Sequence, residues 1–308
     1  MNDLAVFINR YRQSLELANF ALVTIRGYMR MLGKFSEFLE EQGITDIQAI
    51  QTEHIQAYQR ELLYSLNRQW KPNQPTNLNN HLKAIKGLFK FMTRQGYLSQ
   101  NPANAIDYAK TPQRLPRTVL EENEVVKLVS QPDITNPTGY RDRTILEVLY
   151  STAIRRNELL CLKPGDIDWE KGFIRINQGK GGKDRVVPVG KIASRFLENY
   201  VKLVRVDLQR LTNNEYLFLS KYGKRLSEAA LKELIYKHAK AAGIERRISP
   251  HVFRHTCATH LVKNKANIRC VQEMLGHKSL DTTQLYTRIT ITDLKEAHKR
   301  CHPREKNR

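Results

Sequence analysis

The chain has 308 residues, of which 41% are hydrophobic, enough for two packed interiors of ordinary domain size. Its net charge is +20 and its pI about 9.8, which points to a polyanionic partner, nucleic acid before an anionic membrane. No stretch approaches the roughly 18 continuous apolar residues of a spanning helix. The opening MNDLAVFINRYRQ also lacks the basic-then-apolar run of a secretion signal, so a cytoplasmic protein is expected, nucleoid-associated when on DNA.

Residues up to about 110 read as helical throughout. Thr24 can cap a helix whose apolar positions Ile25, Tyr28, Leu32, Phe35, Phe38 and Leu39 recur at three and four, ending at Gly43. A second helix follows Thr52, with Ile55, Tyr58, Leu62 and Leu63 on its apolar side. The polar stretch from Asn67 to Pro75 reads as a loop. Asn77 or Asn79 then starts a third helix carrying Leu82, Ile85, Leu88, Phe89 and Met92, stopped at Gly96. Its other face holds Lys83, Lys86, Lys90 and Arg94. That face is either a solvated surface or, on so basic a chain, a stripe that contacts DNA phosphates.

Pro112 and Pro116 in TPQRLPRTVL disfavour helix and mark a connector at 111–118. The expected organisation is a DNA-binding helical domain over 1–110 and a second domain over 119–308. LEENEVVKLV opens the second domain as a capped helix. RDRTILEVLYSTAI is apolar-periodic, and RNELLCL runs on to about Lys163. Phe173–Ile176 and Arg185–Val189 are short β-rich runs joined by QGKGGKD, a hairpin with a loose basic tip. Helices resume at about 193–211 and 228–242. A late helix, ITDLKEAHKRC, is followed by a basic end, HPREKNR, expected to be frayed.

Residues 251–286, HVFRHTCATHLVKNKANIRCVQEMLGHKSLDTTQLY, carry the chemistry. His251, Arg254 and His255 stand at i, i+3 and i+4, so one helix face can present them. LGH then ends at His277, and Tyr286 follows. Imidazoles, a guanidinium and a phenol suit a phosphate with a nucleophile beside it. His251, His255, Cys257 and His260 could instead be read as metal ligands. Arg254 would then sit inside the ligand set, and no metal is expected. His255 and His260 also read simply as helix or core histidines. The four cysteines form no CxxC pair and are expected as free thiols. No GxxxxGK[ST] loop is present, so no nucleotide cofactor is implied.

Four pieces in order, STAIRRNELLCLKPGDIDW, GKGGKDRVVPV, HVFRHTCATHL and LGHKSLDTTQLYTR, resemble the tyrosine recombinases, or phage integrase family, and most closely its Xer-like and transposon-integrase members. They span roughly 150–288; the helical N-terminal part resembles the family's core-binding domain more weakly. The resemblance implies a mainly α, two-domain DNA clamp, with a SAM-like core-binding domain and an α+β catalytic domain bearing a small β-hairpin or sheet. It implies that Arg155, Lys180, His251, Arg254 and His277 are catalytic and that Tyr286 is the nucleophile, with Glu158 partnering Arg155. Lys183 and Arg185 read as DNA-backbone or structural contacts. TAIRRNEL departs from the commoner TGLRxSEL, and Arg156 competes with Arg155 for the first arginine position.

The implied reaction is conservative strand exchange through a 3′-phosphotyrosyl ester and a Holliday junction. It would take place on double-stranded DNA with an inverted-repeat core site, within a tetrameric synapse of this chain. Leu294 and the tail beyond it are the expected docking segment between protomers. A DNA-binding regulator of the same fold and a type IB topoisomerase are the other readings.

Overall fold

A computed structural model of the chain describes residues 3–66, 72–111, 119–177, 184–209, 212–276 and 291–306. It divides into two compact units, Met1–Arg114 and Leu115–Arg308. The expected connector lies almost wholly outside the described residues, as do Lys180, Lys183, His277 and Tyr286.

The first unit is built from α1 (Asp3–Leu17), α2 (Leu22–Glu41), α3 (Thr52–Tyr64) and α4 (Pro75–Arg94). Two expected starts move upstream. α2 begins before Thr24, on Ala21, with no side-chain cap. α4 begins at Pro75, whose fixed φ suits a first helical position. Asn79 is engaged elsewhere: its side chain accepts from the backbone N–H of Ala109 at 2.8 Å and donates to the Ala109 carbonyl at 2.9 Å. The apolar stripes of α2, α3 and α4 meet in one core around Leu32, Phe35, Ile55, Tyr58, Leu82, Ile85 and Phe89. Inside it the Tyr58 hydroxyl and His81 Nδ1 are hydrogen-bonded at 2.9 Å.

The second unit is centred on α6 (Pro137–Thr152), which follows α5 (Glu122–Val129). The sequence suggests an apolar stripe for α6. Instead twelve of its sixteen residues are buried, on all sides, including Arg141, Asp142 and Glu147. Each of these charges is compensated. Arg141 donates to Asp142 and to the Leu219 carbonyl, Asp142 also meets His238, and Glu147 takes Arg143 and Arg304.

α7 (Arg156–Cys161) then leads into the sheet: β1 (Ile167–Asp168), β2 (Phe173–Ile176) and β3 (Arg185–Pro188), antiparallel in the order β1-β2-β3. β3 pairs with β2 from Phe173–Pro188 to Ile176–Arg185, so the pairing includes the expected hairpin, and β1 adds a third strand. The helix expected over 193–211 is divided into α8 (Lys191–Asn199), a π-helical turn at Tyr200–Val204 and α9 (Arg205–Gln209). The Tyr200 hydroxyl donates to the Leu217 carbonyl at 3.1 Å.

α10 (Glu228–Ala241), α11 (Pro250–Lys263) and α12 (Ile268–Leu275) complete the body. α13 (Ile291–Cys301) and α14 (Pro303–Lys306) pack on it. The expected frayed end is helical as far as Lys306, because His302 is wholly buried against α6. His298 and His302 stack at 4.6 Å and meet the carbonyls of Ser151 and Tyr150 at 2.8 and 3.2 Å. Among the described residues no helix is long and apolar enough to cross a membrane.

Burial, with Lys34 and Arg30 adding repulsion, lowers His81 from 6.5 to about 4. Burial also lowers His298 and His302. These imidazoles bind protons more readily in the unfolded chain. Their contribution is therefore complete above pH 6.5 and is lost progressively as the pH falls below it. The melting temperature should decline from about pH 6.5 downwards. Calorimetry of His81→Gln should show a shallower decline than the unaltered chain.

Candidate active site

The site begins where α6 stops. Ala153 takes φ 51° and ψ 24° as the C-cap of α6, a left-handed conformation in which a Cβ is strained. This is the position where the commoner motif has glycine. The turn exposes the Ala153 carbonyl to Arg254 Nη1 at 2.7 Å and swings the chain into α7, with Arg155 at its N-cap.

Glu158, one turn into α7, gathers two arginines. Its Oε2 accepts from the backbone N–H of Arg155 at 2.7 Å, and its Oε1 from Arg155 Nη1 at 2.8 Å. Arg185 on β3 donates to the same two oxygens, Nη1 to Oε1 at 2.9 Å and Nη2 to Oε2 at 2.8 Å. Burial pushes the carboxyl up. The bonds from Arg185 and Arg155 outweigh it and hold Glu158 at about 2, so it is ionised at neutral pH.

The far side of the cluster is the C-terminus of α12. Its last carbonyls face three guanidiniums: Met274 accepts from Arg185 Nε at 3.1 Å, Leu275 from Arg254 Nη2, and Gly276 from Arg155 Nη2 at 2.9 Å. The unpaired carbonyls of a helix end carry partial negative charge and favour cations. Gly276 has φ 61°, and a Cβ there would lie 3.1–3.3 Å from Cδ, Nε and Cζ of Arg185. Both the backbone and the neighbour call for glycine.

Arg254 is 9% exposed. Burial, followed by repulsion from Arg155, lowers it to about 10, which leaves it protonated at neutral pH. Three guanidiniums thus stand around a single carboxylate, two of them bonded to it and Arg254 held by carbonyls, and the surplus charge suits a phosphate.

The structure treats the expected site residues differently. Arg155 and Arg254 come together with Glu158, whereas Arg156 turns away to Glu228 at 2.5 Å and to Asn157. His251 is exposed at the second position of α11, and His255 borders a groove of about 550 Å³ between α11 and α12. His260 is buried and meets the Tyr150 hydroxyl at 2.9 Å. Among the described residues no group of three His, Cys, Asp or Glu gathers as a metal set, and the four cysteines are unbonded to one another.

In the first unit, Lys83, Lys90 and Arg94 are exposed along α4, and Lys86 is half-buried with its Nζ 5.1 Å from the centre of the Tyr108 ring. Arg185, grouped from the sequence with Lys183, lies inside the arginine cluster with 8% of its side chain exposed. The three α12 carbonyls are the part that sequence reasoning missed. Main-chain acceptors leave no residue signature except Gly276, which marks where the helix ends.

A helical unit precedes a unit in which three arginines stand around one carboxylate, an arrangement suited to holding a phosphate. The chain belongs to the phage integrase family: residues 118–292 match that family, and residues 8–96 match the phage integrase N-terminal SAM-like domain. Tyrosine recombinase XerD of Staphylococcus epidermidis is 37% identical over 281 residues, 91% of this chain and 92% of that one. A XerH site-specific recombinase, in a post-cleavage complex with palindromic difH substrate, is 25% identical with a TM-score of 0.68, covering 91% of this chain and 80% of that one. A lambda integrase dimer bound to a core site, 19% identical, shares the fold at a TM-score of 0.66, over 92% of this chain and 99% of that one.

Ala153→Gly should relieve the left-handed strain while keeping the carbonyl that holds Arg254. The expected gain is about 1 kcal/mol in unfolding free energy by chemical denaturation.

Proposed function

We propose that this chain is a tyrosine-type site-specific DNA recombinase that breaks and rejoins strands through a covalent protein–DNA ester. What supports the reading most is the cluster of Arg155, Arg254 and Glu158: two preorganised guanidiniums in a family whose named relatives act on DNA sites.

In this mechanism the Tyr286 phenol attacks the scissile phosphorus. A bond forms from its oxygen to phosphorus and the bond to the 5′-oxygen breaks, leaving a 3′-phosphotyrosyl ester and a free 5′-hydroxyl. A phenol is a weak nucleophile at neutral pH, with an ordinary pKa near 10. His251 accepts its proton, Lys180 supplies one to the leaving oxygen, and His277 donates to a non-bridging oxygen. Arg155 and Arg254 hold the charge that gathers on the non-bridging oxygens. Such donors act without reorganising as the transition state forms, and each can be worth several kcal/mol.

The ester conserves the energy of the broken bond, so religation calls for no nucleotide. The 5′-hydroxyl of a partner strand attacks the ester and releases Tyr286. Repeating this on the second pair of strands resolves a Holliday junction.

The substrate is double-stranded DNA with an inverted-repeat core. Four copies of the chain on two such sites form the working synapse in the cytoplasm. Lys83, Lys90 and Arg94 of α4, with Lys86 and Lys183, are assigned to the DNA backbone.

Full-length protein on a nicked suicide duplex should yield a covalent adduct visible on denaturing gels. Tyr286→Phe should bind the same duplex and give none. Arg155→Ala and Arg254→Ala should each slow adduct formation by about 100-fold or more. If the unaltered chain binds but forms no adduct, the protein is a regulator of this fold and not a recombinase.

A further inference from the structure

We propose that Arg185 is a positioning residue for strand cleavage, acting through Glu158 on Arg155, and not a DNA contact. The inference rests on the reading above, in which Arg155 bears on the scissile phosphate.

Each nitrogen of the Arg185 guanidinium already holds a protein acceptor: both oxygens of Glu158 and the carbonyl of Met274. With 8% of the side chain exposed, the group is not offered to a passing DNA backbone. It sits on the carboxylate as a fork, two parallel bonds at 2.8 and 2.9 Å, the geometry in which arginine and carboxylate bind each other most specifically.

The consequence falls on Arg155. Glu158 touches the Arg155 guanidinium through one bond, Nη1 to Oε1, and its other oxygen meets the Arg155 backbone N–H. With Arg185 gone, the backbone N–H of Arg155 alone would hold the carboxylate's second oxygen, and the group could turn to grip the Arg155 guanidinium with both oxygens. A guanidinium gripped in that way has fewer donors and less net charge for a phosphate. Arg185 thus keeps Glu158 as a support for Arg155 and stops it from becoming a competitor of the substrate.

A second consequence concerns the chain on either side. Arg185 opens β3, five positions after Lys180 in the sequence, and its bond to Met274 reaches the end of α12, three positions before His277. One side chain therefore ties Glu158, the base of the hairpin and the start of the segment that carries the remaining catalytic groups. Gly276 leaves the space it needs. Lysine could supply the charge but not the fork.

The test uses full-length protein and a duplex selected from random-sequence DNA by binding to the protein itself, nicked between its repeats. Arg185→Lys should bind this duplex within about 3-fold of the unaltered chain and form adduct at least about 10-fold more slowly in a single turnover. Replacing one non-bridging oxygen of the scissile phosphate by methyl removes the charge that Arg155 serves. On that methylphosphonate the gap between Arg185→Lys and the unaltered chain should narrow. On a substrate with sulfur as the 5′ leaving atom, which needs little help from an acid, the gap should persist.

Adduct formation at the unaltered rate overturns the proposal. So does a loss of binding as large as the loss of rate, or a gap unchanged on the methylphosphonate. If Arg185→Lys and Arg185→Met both fail to fold, Arg185 is a stability residue and the proposal also falls. Failure of the unaltered chain to form adduct sinks the recombinase reading instead, so the two failures are distinguishable.

Discussion

The second unit depends on one carboxylate holding two guanidiniums. Glu158 is largely out of water, and desolvation works against its charge. Arg155 and Arg185 keep it ionised, and it in turn allows them to stand close together and beside Arg254. Without it, three like charges in a half-buried space would repel one another and draw in water. The carbonyls of Ala153, Met274, Leu275 and Gly276 complete the arrangement by satisfying further guanidinium donors without cancelling any charge. A carboxylate at each of those places would neutralise the cluster. A carbonyl stabilises it and leaves its surplus available to a phosphate.

This division of labour explains the local backbone. Helices α6 and α12 both end in a left-handed residue, Ala153 and Gly276, and both ends are directed at arginines. A left-handed C-cap turns the chain away from the helix axis, and the carbonyls of Ala153, Met274, Leu275 and Gly276 at these two ends accept from guanidiniums. At Ala153 the cost of that turn is carried by a residue with a Cβ, at a place where α6 is held on all sides by packing and paired charges. At Gly276 a Cβ could not be carried, because Arg185 occupies the space.

Much of this was legible in the residues and some was not. HVFRH and STAIRRNEL placed arginines and a carboxylate at spacings that a helix and its cap can use, and the Arg155–Glu158 spacing reads as a cap once the helix start is known. The role of Arg185 was not legible, since its partners stand 27 and 89 positions away and one of them is backbone. RDRTILEVLYSTAI reads as apolar-periodic, yet Arg141, Asp142 and Glu147 of α6 are buried and paired. β1 is two residues long and leaves no pattern to find. The basic composition of the chain's end suggests fraying, yet His298 and His302 bury their rings there, and burial disfavours their charged form.

The anchoring of three arginines on successive carbonyls of α12 constrains chain length there. Each residue added to or removed from Ile268–Leu275 turns the helix end by about 100° and shifts it by about 1.5 Å. A single insertion would therefore aim Met274, Leu275 and Gly276 away from all three guanidiniums at once, while a substitution on the outer face of α12 would leave them in place. This helix should tolerate changes of composition far better than changes of length, and any lengthened relative would have to restore the same angular phase by close to a whole number of turns.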